Sequence, residues 1–306
     1  MRVRRPAVAG LLTAGLVGAL LAGCGSAPTP PPVFNTPASV PPTPAPGRAA
    51  PAGQLDVATR TLDLARGDRP LPVTVWYPAD DAGPFPVVLF SHGLGGEPAD
   101  YQAVLAQWAA AGFVVAAPTY PFTSQGGSGG NALDVLNQPA DASHVLDELL
   151  ALDGRDGDEF AGRLDVERVA AAGHSAGGIT TVGLFTAARD ERLDAGVVLA
   201  GSALGVGTAF SGAAAPQLFI HGELDEVVSY ASGKAAYDRV PWPKAMLSLP
   251  DGDHGQSLLR PGNPAYDVVI ATSTDFLRWT LYGDGAARER LTEAPPAGVA
   301  VFDDQL

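Results

Sequence analysis

Ser175 stands inside Gly173-His174-Ser175-Ala176-Gly177, between the apolar run Val169-Ala170-Ala171-Ala172 and a helix-like segment that reaches about Ala188. A strand, a sharp turn and a helix around one serine lift its hydroxyl above a sheet edge, over a helix N-terminus. Small residues at both glycine positions let the backbone bend that tightly. Such a serine is a candidate nucleophile, and it needs a base to take its proton, an acid to orient the base, and N–H donors for a developing oxyanion.

Five histidines could supply the base: His92, His144, His174, His221 and His254. His92 and His221 end strand-like runs, His144 lies on the polar face of a predicted helix, and His174 belongs to the turn itself. His254 sits in Leu249-Pro250-Asp251-Gly252-Asp253-His254-Gly255, a turn-rich loop able to swing an imidazole toward Ser175. The acid is expected on a loop after a late strand. Asp225 meets that condition, following Gln217-Leu218-Phe219-Ile220-His221-Gly222, with Glu223, Glu226 and Asp253 as rivals. The two glutamates read as solvated loop residues, and Asp253 adjoins His254 too closely to orient its ring.

For the oxyanion, the backbone N–H of Ala176 follows the nucleophile, and a second donor is expected from Ser91-His92-Gly93-Leu94-Gly95-Gly96, after Val87-Val88-Leu89-Phe90. Leu94 is assigned that role. The same glycines lack a following Gly-Lys-Ser or Gly-Lys-Thr and do not match dinucleotide spacing, which weighs against phosphate binding.

These three segments and the loop His221-Gly222-Glu223-Leu224-Asp225-Glu226-Val227-Val228 resemble the α/β-hydrolase superfamily, specifically dienelactone-hydrolase-like and platelet-activating-factor-acetylhydrolase-like esterases. Bacterial polyester hydrolases and cutinases are related. The resemblance covers about Leu55 to Tyr282. It implies Ser175 as nucleophile, Asp225 as acid and His254 as base, with Leu94 and Ala176 as oxyanion donors and no metal or organic cofactor. Polyester hydrolases commonly carry an aromatic residue in the oxyanion loop and a C-terminal disulfide; here Leu94 and a single cysteine stand instead, which argues against polyester substrates.

Positioning these residues requires a sheet. Strand-like runs fall at 57–64, 72–77, 87–91, 113–117, 169–172, 197–200, 217–221 and 245–249, and after the third they alternate with helical segments. That pattern predicts an α/β fold: a mainly parallel, eight-stranded, doubly wound sheet with flanking helices and no large cap domain. Tyr101, Val104, Leu105, Trp108 and Ala109 keep the spacing of a buried helix face, so Trp108 reads as core. The catalytic domain is expected over residues 54–283, with 284–306 as a polar tail. The glycine-rich stretch 119–130 reads either as a border of the acyl pocket or as a surface loop, with Tyr120, Phe122 and Trp242 as possible wall residues.

The chain begins Met1-Arg2-Val3-Arg4-Arg5, continues with an apolar stretch from Ala7 to Ala22, and reaches its only cysteine at Cys24. Residues 1–23 read as a secretory signal, and Leu21-Ala22-Gly23-Cys24 resembles a bacterial lipobox, which implies lipidation at Cys24. An ordinary cleaved signal or a membrane anchor are the other readings. A Pro-rich stiff tether is expected over 24–53. The expected location is the bacterial cell envelope, lipid-anchored outside the cytoplasmic membrane, or alternatively secreted.

The formal charge of −14 becomes −17 when Arg2, Arg4 and Arg5 leave with the signal. So acidic a surface repels phosphate backbones, which excludes nucleic-acid partners and leaves membrane attachment to the lipid. The expected activity is hydrolysis of small-molecule or lipid carboxylic esters through an acyl-enzyme. Peptidase or amidase action on the same three residues, and a catalytically silent envelope binding lipoprotein, are the alternatives.

Overall fold

The computed structural model describes residues 48–79, 83–127 and 131–306. The expected signal, Cys24 and the tether up to residue 47 lie outside the described residues, as do residues 128–130 of the glycine-rich loop. Pro51, placed in the tether by sequence, is buried, and its carbonyl accepts a hydrogen bond from Arg278 at 2.9 Å.

Among the described residues, nine strands form one mixed sheet: β1 (Val57–Arg66), β2 (Arg69–Pro78), β3 (Phe85–Ser91), β4 (Val114–Pro118), β5 (Leu164–His174), β6 (Leu193–Leu199), β7 (Gln217–Gly222), β8 (Lys244–Leu249) and β9 (Val301–Gln305). Their order is β1-β2-β4-β3-β5-β6-β7-β8-β9. β3 to β8 run parallel, whereas β1, β2 and β9 are antiparallel to their neighbours. Val87 to Leu89, Val169 to Ala172 and Val197 to Leu199 are buried along their whole length, as central parallel strands covered on both faces must be.

Among the described residues, seven α-helices accompany the sheet: α1 (Gln102–Ala110), α2 (Gln138–Leu150), α3 (Ala176–Leu184), α4 (Tyr230–Asp238), α5 (Gln256–Leu259), α6 (Pro264–Tyr282) and α7 (Gly285–Leu291). One face of the sheet packs on α1 and α6, with Trp108, Phe276 and Leu277 fully buried; the Trp108 indole N–H donates to Ser273 Oγ at 3.1 Å. The other face packs on α2, through Val145, Leu146 and Leu149.

Two expectations need correction. The sheet has nine strands rather than eight, and 284–306 is not a polar tail: α7 and β9 lie in it. β9 is an edge strand whose side chains are mostly exposed, and its apolar part, Val301-Phe302, is too short to mark a strand among the polar residues that follow. It is held by the backbone ladder to β8, by Tyr237 Oη donating to Asp303 at 2.9 Å, by the Arg288–Asp304 ion pair at 3.0 Å and by Phe302 packing against the core.

Candidate active site

The parallel strands end on one side of the sheet, where β3, β5, β7 and β8 each deliver a loop carrying one part of the expected site. β5 ends at His174, and α3 begins at Ala176, leaving Ser175 alone in the turn with φ 57° and ψ −119°. This is a backbone conformation that L-residues avoid, at a cost of roughly 1–3 kcal/mol. Close packing holds it there. A Cβ on Gly173 would sit 2.2 Å from the Gly177 carbonyl oxygen, and one on Gly177 would sit 1.9 Å from that of Ser91. Only glycine lets the elbow, the first turn of α3 and the end of β3 share this space.

Three side chains from three loops meet at the elbow. Ser175 Oγ lies 2.9 Å from His254 Nε2, and His254 Nδ1 lies 2.7 Å from Asp225 Oδ2. With Nδ1–H donated to the carboxylate, Nε2 is left unprotonated toward the serine hydroxyl. The Asp225 side chain is fully buried. Its Oδ1 accepts from the Val227 and Val228 N–H groups at 2.8 Å each, and the His221 Nε2 lies 3.2 Å from Oδ2. The rivals are differently engaged: Glu223 and Glu226 are exposed, and Asp253 accepts from the N–H groups of Gly255 and Ser257.

The expected oxyanion donors sit beside the serine. A Cβ on Gly93 would lie 3.2 Å from Ser175 Cβ, which brings the loop after β3 against the nucleophile. The Gly93 carbonyl, in the same peptide unit as the Leu94 N–H, accepts from His92 Nδ1–H at 2.8 Å and from Gly96 N–H at 3.0 Å. Because a trans peptide points its C=O and N–H in opposite directions, these bonds also set the direction of the Leu94 N–H. Ala176 is the first residue of α3, where the N–H has no partner within the helix.

Four further residues meet around the site in ways that the sequence does not show. His92 is buried, accepts from Tyr120 N–H at 3.1 Å through Nε2, and is held below its ordinary pKa by that burial. His221 is likewise buried and lowered, its Nε2–H donated to Val228 O at 2.8 Å. Tyr101 and His174 complete the set, with Tyr101 Oη 3.0 Å from His174 Nδ1. Each had been read as a strand end, a turn residue or a helix face, and their convergence has no signature in linear spacing.

The possible wall residues are also relocated. Tyr120 is fully buried, its hydroxyl 2.8 Å from Ser91 Oγ. Trp242 packs against Phe185 and Phe210, and Phe122 lies under the Arg69 guanidinium. The described part of 119–130 braces the oxyanion loop: Thr123 O accepts from Gly95 N–H at 2.6 Å, and Glu97 accepts from Gly126 N–H at 3.1 Å.

Compared with known proteins, residues 48–218 match the family model of chlorophyllase. The chain belongs to the chlorophyllase family. This is an α/β-hydrolase-type family, in keeping with the sheet described above, and membership indicates an esterase-type hydrolase. The matched span contains the loop after β3 and the Ser175 elbow and stops short of Asp225 and His254. No curated protein matches the chain.

Proposed function

We propose that this chlorophyllase-family chain is a serine hydrolase of carboxylic esters, with Ser175 as nucleophile, His254 as base and Asp225 as the acid that orients it. The observation that carries the reading is the continuous line from Ser175 Oγ through His254 to Asp225, with bonds of 2.9 and 2.7 Å. His254 Nε2 takes the hydroxyl proton as Ser175 Oγ attacks the ester carbonyl, and Asp225 stabilises the imidazolium that forms. The Leu94 and Ala176 N–H groups hold the oxyanion. The imidazolium then protonates the departing alcohol, and water, deprotonated by His254, releases the acid from the acyl-serine.

The ester is apolar. Six exposed large hydrophobic side chains, Leu94, Leu133, Leu136, Leu204, Leu224 and Val227, lie on the segments that follow β3, β4, β6 and β7. All of these segments leave the end of the sheet that carries Ser175. A rim of this kind gains about 25 cal/mol for each Å² of apolar substrate surface removed from water.

The finer sequence resemblance, to dienelactone-hydrolase-like and platelet-activating-factor-acetylhydrolase-like esterases, forms part of the proposal. So do lipidation at Cys24, a tether and an envelope location, which rest on Leu21-Ala22-Gly23-Cys24 and the proline-rich stretch after it. A Cys24→Ser change is expected to move the protein from the membrane to the soluble fraction.

The deciding experiment treats the purified chain with a fluorophosphonate and maps the adduct by peptide mass spectrometry. One adduct at Ser175 is expected, lost in Ser175→Ala, together with turnover of nitrophenyl esters and little on peptide amides. A folded sample that binds esters without acylation would make it a binding protein. Faster cleavage of amides would make it a peptidase.

A further inference from the structure

Three hydrogen bonds, two buried and one part-buried, run from the oxyanion loop to the base loop without touching the reacting atoms. The Gly93 N–H donates to Tyr101 Oη at 2.9 Å; Tyr101 Oη lies 3.0 Å from His174 Nδ1; His174 Nε2 lies 2.7 Å from the His254 carbonyl oxygen. The two ends fix the proton order. A backbone N–H can only donate and a carbonyl can only accept, so the Tyr101 hydroxyl donates to His174 Nδ1 and His174 donates its Nε2–H to His254. All donors then point the same way along the chain.

We propose that Tyr101 and His174 are positioning residues which hold the oxyanion loop and the base loop at a set separation around Ser175. The inference rests on the serine-hydrolase reading above. One terminus lies in the peptide unit next to the one that presents the Leu94 N–H, and the other is the carbonyl of the base residue itself. Both terminal loops are otherwise turns, which deform more easily than strands. His174 also has to stay uncharged. Its ring centroid is 4.8 Å from that of His254, which becomes a cation during turnover, and a second cation there would oppose proton transfer from Ser175. Burial holds His174 neutral, with its pKa lowered to about 4. The Phe90 ring packs against Tyr101, with ring centroids 4.8 Å apart.

The test compares wild type, Tyr101→Phe, His174→Leu, His174→Gln and the Tyr101→Phe/His174→Leu double variant, with kcat expressed per site titrated by fluorophosphonate. Tyr101→Phe and His174→Leu are expected to lower kcat per titrated site by about 10- to 100-fold, because small misplacements of reacting groups cost that much, while KM stays within about twofold. His174→Gln, which can accept and donate in the same order, recovers most of the rate. The double variant is no slower than the slower single one, since the chain is already broken. Unchanged kcat per titrated site in both single variants, or losses that multiply, would overturn the brace. A wild type that takes no label at Ser175 defeats the underlying reading instead. The wild-type protein alone gives a second measurement: ¹⁵N-histidine spectra at pH 6 should show His174 neutral with its proton on Nε2. A proton on Nδ1 reverses the order and refutes the proposal even if the variants do not fold.

Discussion

Replacing Asp225 by asparagine removes one charge and almost no volume, so its effect reports on proton placement. The carboxylate makes four contacts while fully buried: Oδ1 with the Val227 and Val228 N–H groups at 2.8 Å, and Oδ2 with His254 Nδ1 at 2.7 Å and His221 Nε2 at 3.2 Å. An amide has one acceptor end and one donor end. If its nitrogen faced Val227 and Val228, three donors would converge on one point. The amide oxygen therefore keeps the Oδ1 position, and the NH₂ group faces His254 Nδ1. That nitrogen must now accept, which moves the imidazole proton to Nε2, opposite Ser175 Oγ at 2.9 Å. The base then has no lone pair for the serine proton. A tautomer error of this kind costs about 10⁴-fold in kcat, or about 5 kcal/mol of transition-state stabilisation. Nitrophenyl butyrate hydrolysis with active-site titration measures it, and Glu223→Gln and Glu226→Gln serve as controls that keep wild-type rates. An Asp225→Asn rate within tenfold of wild type would falsify the assignment of Asp225 as the orienting acid.

Stability should fall in mild acid. His174 has a pKa of about 4 in the native state against an ordinary 6.5, so below 6.5 the unfolded chain binds a proton that the native chain refuses. Stability from this group is complete above about 6.5 and declines as pH falls toward 4, by about 3 kcal/mol, and buried His92 and His221 act in the same direction. Urea titrations at pH 7, 5.5 and 4.5 check this, and equal midpoints at all three contradict it. Gly177→Ala should destabilise by about 3 kcal/mol or more, since the added methyl meets the Ser91 carbonyl oxygen at 1.9 Å; a melting temperature near wild type would show that the elbow can relax. Leu224→Ser and Val227→Ser should each lower kcat/KM by up to about tenfold for long-chain esters and little for acetates. Equal losses across a chain-length series would remove the rim from substrate binding.

Where chemistry is tied to local backbone, the sequence was readable. The elbow around Ser175 needs glycine at close-packed positions and announces itself in five consecutive residues. The apolar runs of the central strands are long because both faces of the sheet are covered. Ser175, Asp225 and His254 could be named in advance because each follows a recognisable strand, and the structure brings the three together. β9 was not readable, because its apolar part is only Val301-Phe302 and the acidic residues that follow meet their partners, Tyr237 and Arg288, only in the fold. Tyr120 and Trp242 were misplaced as wall residues because an aromatic side chain in a loop can turn inward or outward with the same neighbours in sequence.

By itself, the sequence determined the positions of the strands that carry the site, the sharp turn around Ser175 between two glycines, and the sign of the net charge. Those are properties of neighbouring residues or of composition. Tertiary structure decided the distances that bring Asp225 and Ser175 to His254, and which way the Leu94 peptide points. It also decided that His92, His174 and His221, three imidazoles with the same intrinsic chemistry as His254, are buried and held neutral by desolvation. The reason is physical: hydrogen-bond partners and burial are set by distances between segments tens of residues apart, and no spacing along one chain records them before it folds.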